Sequence, residues 1–311
     1  MDVKPSIVIS ACLLGQPVRF NGGHCQDSFV LSLSPYVNWV PICPEMEMGL
    51  GAPRETLRLI EQSDLALVGA KSGKNYAGAA LAVAQDRVQA WQGLDIHGFL
   101  LKKKSPSCGP ERVPVYRDNG YRARSTSGLV AGAFRAAYPD YPIEDEGRLL
   151  DSGIREHFLI RVYTLARWSH VQKQPTLKAI MDFHRDHKML FLAHDERTYR
   201  EMGRLIASGR LDAHDRSQYK QMLLQCLSKQ PTRGSHANVI QHLAGFLKRD
   251  VPSEWRRELA NLIDQYRQKR QPRQAVMTLI RHYFRQHPHA WVKNQVYFQP
   301  FPELDSSLNF V

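Results

Sequence analysis

Gly98-Phe99-Leu100-Leu101-Lys102-Lys103-Lys104-Ser105-Pro106-Ser107-Cys108-Gly109-Pro110 decides the fold: an apolar run empties into a polar loop closed by glycine and proline. The pattern is that of a strand delivering a cysteine. The arrangement recurs in Ser6-Ile7-Val8-Ile9-Ser10-Ala11-Cys12 and in Asn38-Trp39-Val40-Pro41-Ile42-Cys43-Pro44-Glu45. In an open parallel sheet the carboxyl ends of the strands share one side, so loops distant in sequence converge on one crevice. Cys12, Cys43 and Cys108 are therefore expected to meet there.

The segments between these strands fit that reading. A turn-rich stretch, Gly15 through Arg19-Phe20-Asn21 to Gly22-Gly23-His24-Cys25, is followed by a short helix over Phe29–Leu33. The alanine-rich segment Tyr76–Trp91 predicts a helix packed closely on a sheet, and Leu129–Ala137 predicts another. Alternation of strand and helix signals gives an α/β, Rossmann-like parallel-sheet domain. No Gly-x-Gly-x-x-Gly follows the first strand, so no nucleotide cofactor is expected.

Pro139-Asp140-Tyr141-Pro142 and Glu144-Asp145-Glu146-Gly147 mark a junction, which divides the chain into an α/β domain over 1–150 and an all-helical domain over 151–311. In the second part Leu177, Ile180, Met181, His184 and Phe191 fit one helix face. Asp195 is a good N-cap before Tyr199–Ala207, and Gly209 a good stop. Further helices are expected over Ser217–Leu227, Ala237–Leu247, Glu254–Tyr266 and Val276–Arg285. The pairs His184/His187 and His194/His214 match no standard helical metal spacing, so core or RNA-facing roles rank above ligation.

Charge separates the two parts more sharply than hydrophobicity does. Residues 1–150 carry 16 Lys+Arg against 15 Asp+Glu, whereas residues 151–311 carry 26 against 15. An excess confined to the second part points to a polyanionic partner, with nucleic acid ahead of an acidic membrane surface. Lys248-Arg249, Arg256-Arg257 and Arg267-Gln268-Lys269-Arg270, interleaved with Trp255, Tyr266 and Tyr283, suit phosphate contact with occasional stacking. A solvated basic face explains them as well. No apolar run reaches the roughly 18 residues of a membrane span, and Met1-Asp2-Val3-Lys4-Pro5 lacks a secretory pattern, so a cytoplasmic location is expected.

Five irregularly spaced cysteines do not form a disulfide framework, which leaves metal binding, catalysis or plain burial open to them. Three thiolates with no obvious fourth ligand suit an iron–sulfur cluster better than structural zinc, which closes its tetrahedron. Cys25 lies in a turn and reads as a bystander, and Cys226 has the setting of a helix core residue. Glu45 stands two residues after Cys43, where it is placed either for proton transfer or to complement a helix N-terminus. Lys102-Lys103-Lys104 is either a solvated run or a holder of substrate phosphate.

Ser10-Ala11-Cys12-Leu13-Leu14-Gly15 with Val18-Arg19-Phe20-Asn21-Gly22, then Pro41-Ile42-Cys43-Pro44-Glu45 and Ser105-Pro106-Ser107-Cys108-Gly109, together resemble the thiouracil desulfidase family over roughly residues 5–150. The second part resembles the helical domain fused to two-domain members that act as tRNA 4-thiouridine desulfidases. The segments that carry this likeness are Tyr199–Leu205, Gly234–His242 and Asn294–Tyr297. The resemblance implies a 4Fe-4S cluster on Cys12, Cys43 and Cys108, with Glu45 and Ser105 as catalytic side chains. Arg19, Asn21, Lys104 and Ser107, in and beside these motifs, are the expected substrate-binding residues. The resemblance leads aspartate to be expected in many relatives where Asn21 stands. The expected reaction is hydrolytic, non-redox removal of sulfur from 4-thiouridine in tRNA, an open iron acting as thiophilic acceptor. A desulfidase of free thiopyrimidines and a non-catalytic RNA-binding protein with a structural metal are the alternatives.

Overall fold

The computed structural model describes residues 3–117, 119–209 and 211–303. Met1 and Asp2, with which the reading of the amino terminus begins, lie outside them. The described residues form two compact units, His170–Phe301 being the second and the remainder, Pro302 and Glu303 included, the first.

In chain order the first unit comprises β1 (Ser6–Ser10), α1 (Ser28–Leu33), β2 (Asn38–Ile42), α2 (Pro44–Glu47), β3 (Leu57–Glu61), β4 (Leu65–Gly69) and α3 (Ala77–Ala90). There follow β5 (Ile96–Leu101), β6 (Val113–Tyr116), β7 (Arg122–Thr126), α4 (Leu129–Ala137), β8 (Ile143–Asp145) and most of α5 (Ser152–Gln172). Four strands make a wholly parallel sheet in the order β2-β1-β5-β8, in which β1 pairs with both β2 and β5. The carboxyl ends of β1, β2 and β5 thus lie side by side, as the three cysteine-bearing runs predict. All six residues of β5 are buried, the signature of a central strand covered on both faces.

A second sheet, in the order β4-β3-β6-β7, was not foreseen from the sequence. It is mixed: β3 pairs antiparallel with β4 and parallel with β6, and β6 pairs antiparallel with β7. Leu59, Leu67, Val113 and Val115 of this sheet share one core with Val8 and Phe99 of the first and with Ala80 and Ala84 of α3. The two alanines present no bulk, which lets α3 approach the strands closely. Gly98 serves the same end on the other side, because a Cβ there would stand 2.7 Å from Cγ1 of Val162 on α5.

Trp91, Phe99 and Phe134 lock the centre, with ring centroids 5.1 Å apart for Trp91–Phe134 and 5.6 Å for Phe99–Phe134. Phe134 is fully buried. Its replacement by alanine is expected to cost about 3–5 kcal/mol by leaving a cavity, read as a lowered denaturant midpoint with an unchanged slope.

The second unit is all-helical: α6 (Leu177–Asp186), α7 (Lys188–His194), α8 (Glu196–Ala207), α9 (Ala213–Ser228), α10 (Arg233–Gly245), α11 (Ser253–Arg267), α12 (Arg273–Gln286) and α13 (Ala290–Lys293). Asp195 caps its helix as the sequence predicts, and Asp212 and Thr232 are caps that the sequence reading did not name. Asp195 accepts from the Arg197 amide, Asp212 from Asp215, and Thr232 closes a capping box with Ser235. Gly209 ends its segment at φ 71°. The single face drawn through Leu177 and Phe191 is instead two helices that meet at His187, where the backbone leaves helical geometry. Ile180 and Phe183 are buried while Leu177 and Met181 are exposed, so the buried stripe lies one position over. Cys226 is fully buried on α9, as expected of a core residue. No helix of the described residues is long and apolar enough to cross a membrane.

Candidate active site at the strand ends

Each cysteine is presented by local structure that its own neighbours dictate. After β1 the chain makes one turn of 3-10 helix through Cys12 and stops at Gly15, whose φ of 91° suits a residue without a side chain. Cys43 caps α2, with Pro44 in the first position and Glu45 in the first turn. Beyond β5 the loop folds back so tightly that a Cβ on Gly109 would stand 2.7 Å from the Ser105 carbonyl oxygen. That loop is tied to the start of α4, since the amides of Val130 and Ala131 donate to the Ser107 carbonyl at 2.9 and 3.1 Å.

These elements enclose a cavity of about 380 Å³ whose wall includes Cys12, Cys43, Cys108, Glu45, Ser105, Arg19 and Lys104. Seven of the nine residues expected at the site therefore share one space. Burial is the main influence on the thiols, and each other's charge adds to it. Cys12 is pushed up to about 12 by desolvation and then by Cys108 and Cys43. Cys43 also rises to about 12, through desolvation and then Glu45. Cys108 is raised by desolvation first and Glu45 second. As thiolates the three would repel one another, and a nearby cation would favour that form.

Glu45 is fixed from both oxygens. The Ser107 hydroxyl donates to Oε1, while Oε2 faces Nη2 of Arg54 at 3.8 Å and the Cys43 thiol at 3.6 Å. Ser105 Oγ accepts from the Cys108 amide at 3.2 Å and lies 3.1 Å from Ser107 Oγ.

Two expected substrate-binding residues are placed differently. Ser107 is fully buried and outside the cavity wall; its hydroxyl serves the Glu45 carboxylate. Asn21 is exposed and also off the wall, with Oδ1 accepting from the Gly23 amide at 3.1 Å to close a local turn.

Sequence reasoning missed Arg54, Ser10 and Glu146. Ser10 Oγ donates to Cys108 Sγ at 3.3 Å and accepts from the Lys102 amide at 2.9 Å. Glu146, buried after β8, pairs with the Lys102 ammonium and accepts from the Lys103 amide at 2.9 Å. The lysine run is thus not uniform: Lys102 turns in toward the thiols, and Lys103 and Lys104 stay exposed. Ile143 ahead of the acidic stretch was the available signal for Glu146, as the start of a further strand end.

Of the histidines singled out in the sequence, His187 and His194 are buried, whereas His214 is exposed. His184 stacks on Tyr199 at 5.1 Å, meets the Tyr219 hydroxyl at 3.0 Å and is pushed down to about 4 by burial. His194 Nδ1 lies 2.7 Å from the Lys229 carbonyl. Of the three aromatics set among the basic clusters, Tyr266 and Tyr283 are buried. Trp255 alone of these is exposed, stacked on Tyr283 at 5.9 Å.

Two family models match separate parts of the chain. The family model described as 2-thiouracil desulfurase matches residues 7–146, and one described as a protein of unknown function, DUF1722, matches residues 188–302. An uncharacterized Escherichia coli protein, YbgA, is 34% identical over 151 residues, 47% of this chain and 89% of its own. An uncharacterized Bacillus subtilis protein, YbbK, is 28% identical over 151 residues, 47% of this chain and 98% of its own. A solved structure described as the [4Fe-4S]-dependent thiouracil desulfidase TudS is 26% identical and covers 49% of this chain and 98% of that one, with a TM-score of 0.39.

Proposed function

We propose, from the premise that the chain belongs to the 2-thiouracil desulfurase family through residues 7–146, that it removes sulfur hydrolytically from 4-thiouridine in tRNA. One observation carries the reading: three thiols and a doubly held carboxylate line one cavity at the ends of parallel strands.

The donor set fits an iron–sulfur cluster. Three thiols that line one cavity suit a polynuclear core, each thiolate on its own iron. A 4Fe-4S cluster on Cys12, Cys43 and Cys108 would supply a thiophilic Lewis acid with one open position for the departing sulfur.

The chain's own residues supply the rest. Thiocarbonyl carbon and carbonyl carbon stand at one oxidation level, so water replaces sulfur without electrons: the thiouracil ring and water give the uracil ring and hydrogen sulfide. Glu45 takes a proton from the attacking water at a carboxylate oxygen and returns it to the leaving sulfur. Ser107 and Arg54 hold that carboxylate in place. Ser105, on the cavity wall, orients the water or the base. Lys102, fixed by Glu146, sets a positive charge beside the sulfur-rich side of the cavity.

The basic second part supports tRNA as the substrate, through phosphate contacts independent of sequence. Turnover of 4-thiouridine in tRNA is expected to fall with rising salt, with a log–log slope of about −0.7 to −0.9 per phosphate contacted, while turnover of a free thiopyrimidine stays nearly flat. Salt-insensitive turnover of tRNA would remove the docking role. The near-neutral balance of residues 1–150, which hold the whole cavity wall, favours free thiopyrimidines as the second reading. Incubating the anaerobically loaded protein with thiolated tRNA and with free thiouracil, and measuring sulfide release and nucleoside composition, decides between them. Absence of sulfide from both substrates refutes the desulfidase reading.

A further inference from the structure

Phe20 has no role in the chemistry above, and its position gives it one. Among the described residues it is the one aromatic side chain in the cavity wall, where its neighbours are aliphatic, polar or charged. The residue is 41% exposed. Exposure of a single apolar side chain is ordinary, but this ring stands on a mount built to hold it still. The Gly22 amide donates to the Arg19 carbonyl at 2.9 Å and the Arg19 amide to the Gly23 carbonyl at 3.1 Å, with Gly22 at φ 76°. The Phe20 carbonyl accepts from the Arg54 amide at 2.8 Å, so the turn is tied to the residue whose guanidinium faces Glu45. Arg19 completes the unit, its guanidinium carbon 5.4 Å from the ring centroid.

We propose that Phe20 is the stacking platform for the thiolated base, laying the pyrimidine ring flat in the cavity with its sulfur-bearing edge toward Glu45 and the three thiols. The inference rests on the desulfuration reading and names the residue that recognises its substrate. An enzyme acting on one base must draw that base out of its stack, and a fixed aromatic face replaces the stacking it gives up. Stacking orients a flat ring without regard to what the ring is attached to, so the platform serves a free thiopyrimidine and a nucleotide alike. Discrimination between those two sources falls to charges outside the ring plane.

The test uses the full-length, cluster-loaded protein. Phe20→Ala and Phe20→Leu are expected to raise KM for 4-thiouridine 5′-monophosphate and for free 4-thiouracil alike, by roughly ten-fold or more, with kcat little changed. Phe20→Trp restores the wild-type KM. An independent readout comes from near-ultraviolet irradiation of the slow Glu45→Gln variant with 4-thiouridine 5′-monophosphate bound, the thiocarbonyl being its own photocrosslinker. The adduct is expected on the peptide that contains Phe20. Unchanged KM values in Phe20→Ala, or an adduct confined to other parts of the wall, overturn the platform and leave the desulfidase reading standing. A wild-type protein that releases sulfide from no thiopyrimidine overturns both.

Discussion

Glu45→Gln protein is expected to fold normally, keep its iron and lose about 10²–10⁴-fold in kcat, with a much smaller change in KM. Size and shape are preserved by the substitution, so the loss measures proton transfer. Glutamine still offers one oxygen to the Ser107 hydroxyl, but its amide must then face Arg54, donor against donor. The guanidinium is held separately by the Gly51 carbonyl at 2.6 Å, so it will keep its place. A side chain that only complemented the start of α2 would cost a few tenths of a kcal/mol to about 1 kcal/mol in stability when neutralised, and nothing in rate. Sulfide release at the wild-type rate from an iron-replete variant would return Glu45 to that structural role and favour a non-catalytic RNA-binding protein.

The second large effect concerns the thiols. Anaerobically purified protein is expected to carry about four iron and four acid-labile sulfide per chain. Cys12→Ala, Cys43→Ala and Cys108→Ala are each expected to lose both, and with them all turnover. Cys25→Ala is the control, because this thiol is off the cavity wall even though its amide donates to the Cys12 carbonyl at 2.9 Å. It is expected to retain iron. Zinc in place of iron, or iron surviving any of the three substitutions, would exclude the cluster proposed for this site.

β1, β2 and β5 of the parallel sheet were legible because their ends repeat one pattern, whereas β8, with the acidic sequence Ile143-Glu144-Asp145, was read as part of the junction. The mixed second sheet was not legible. Leu57–Glu61 and Leu65–Gly69 are joined by only three residues and lie beside the glycines and Pro53 that were read as a break. α5 escaped for the opposite reason: Phe158, Leu159, Ile160, Val162, Tyr163 and Leu165 are buried around most of its circumference, so it carries no one-sided stripe. At the site, seven of the nine residues expected from their local motifs line the cavity. The groups that hold them could not be named, since Arg54 reaches Glu45 and Glu146 reaches Lys102 across the fold, a relation that no spacing encodes.

The strand order β2-β1-β5 also sets a schedule. Cys12 follows the strand between the other two, yet that strand's partner β5 is made long after it, with β3, β4 and α3 intervening. While the chain is being synthesised, two thiols can come together early, but the third cannot join them until Cys108 has emerged and β5 has docked. For the cluster proposed on these three cysteines, loading would therefore follow maturation of the sheet.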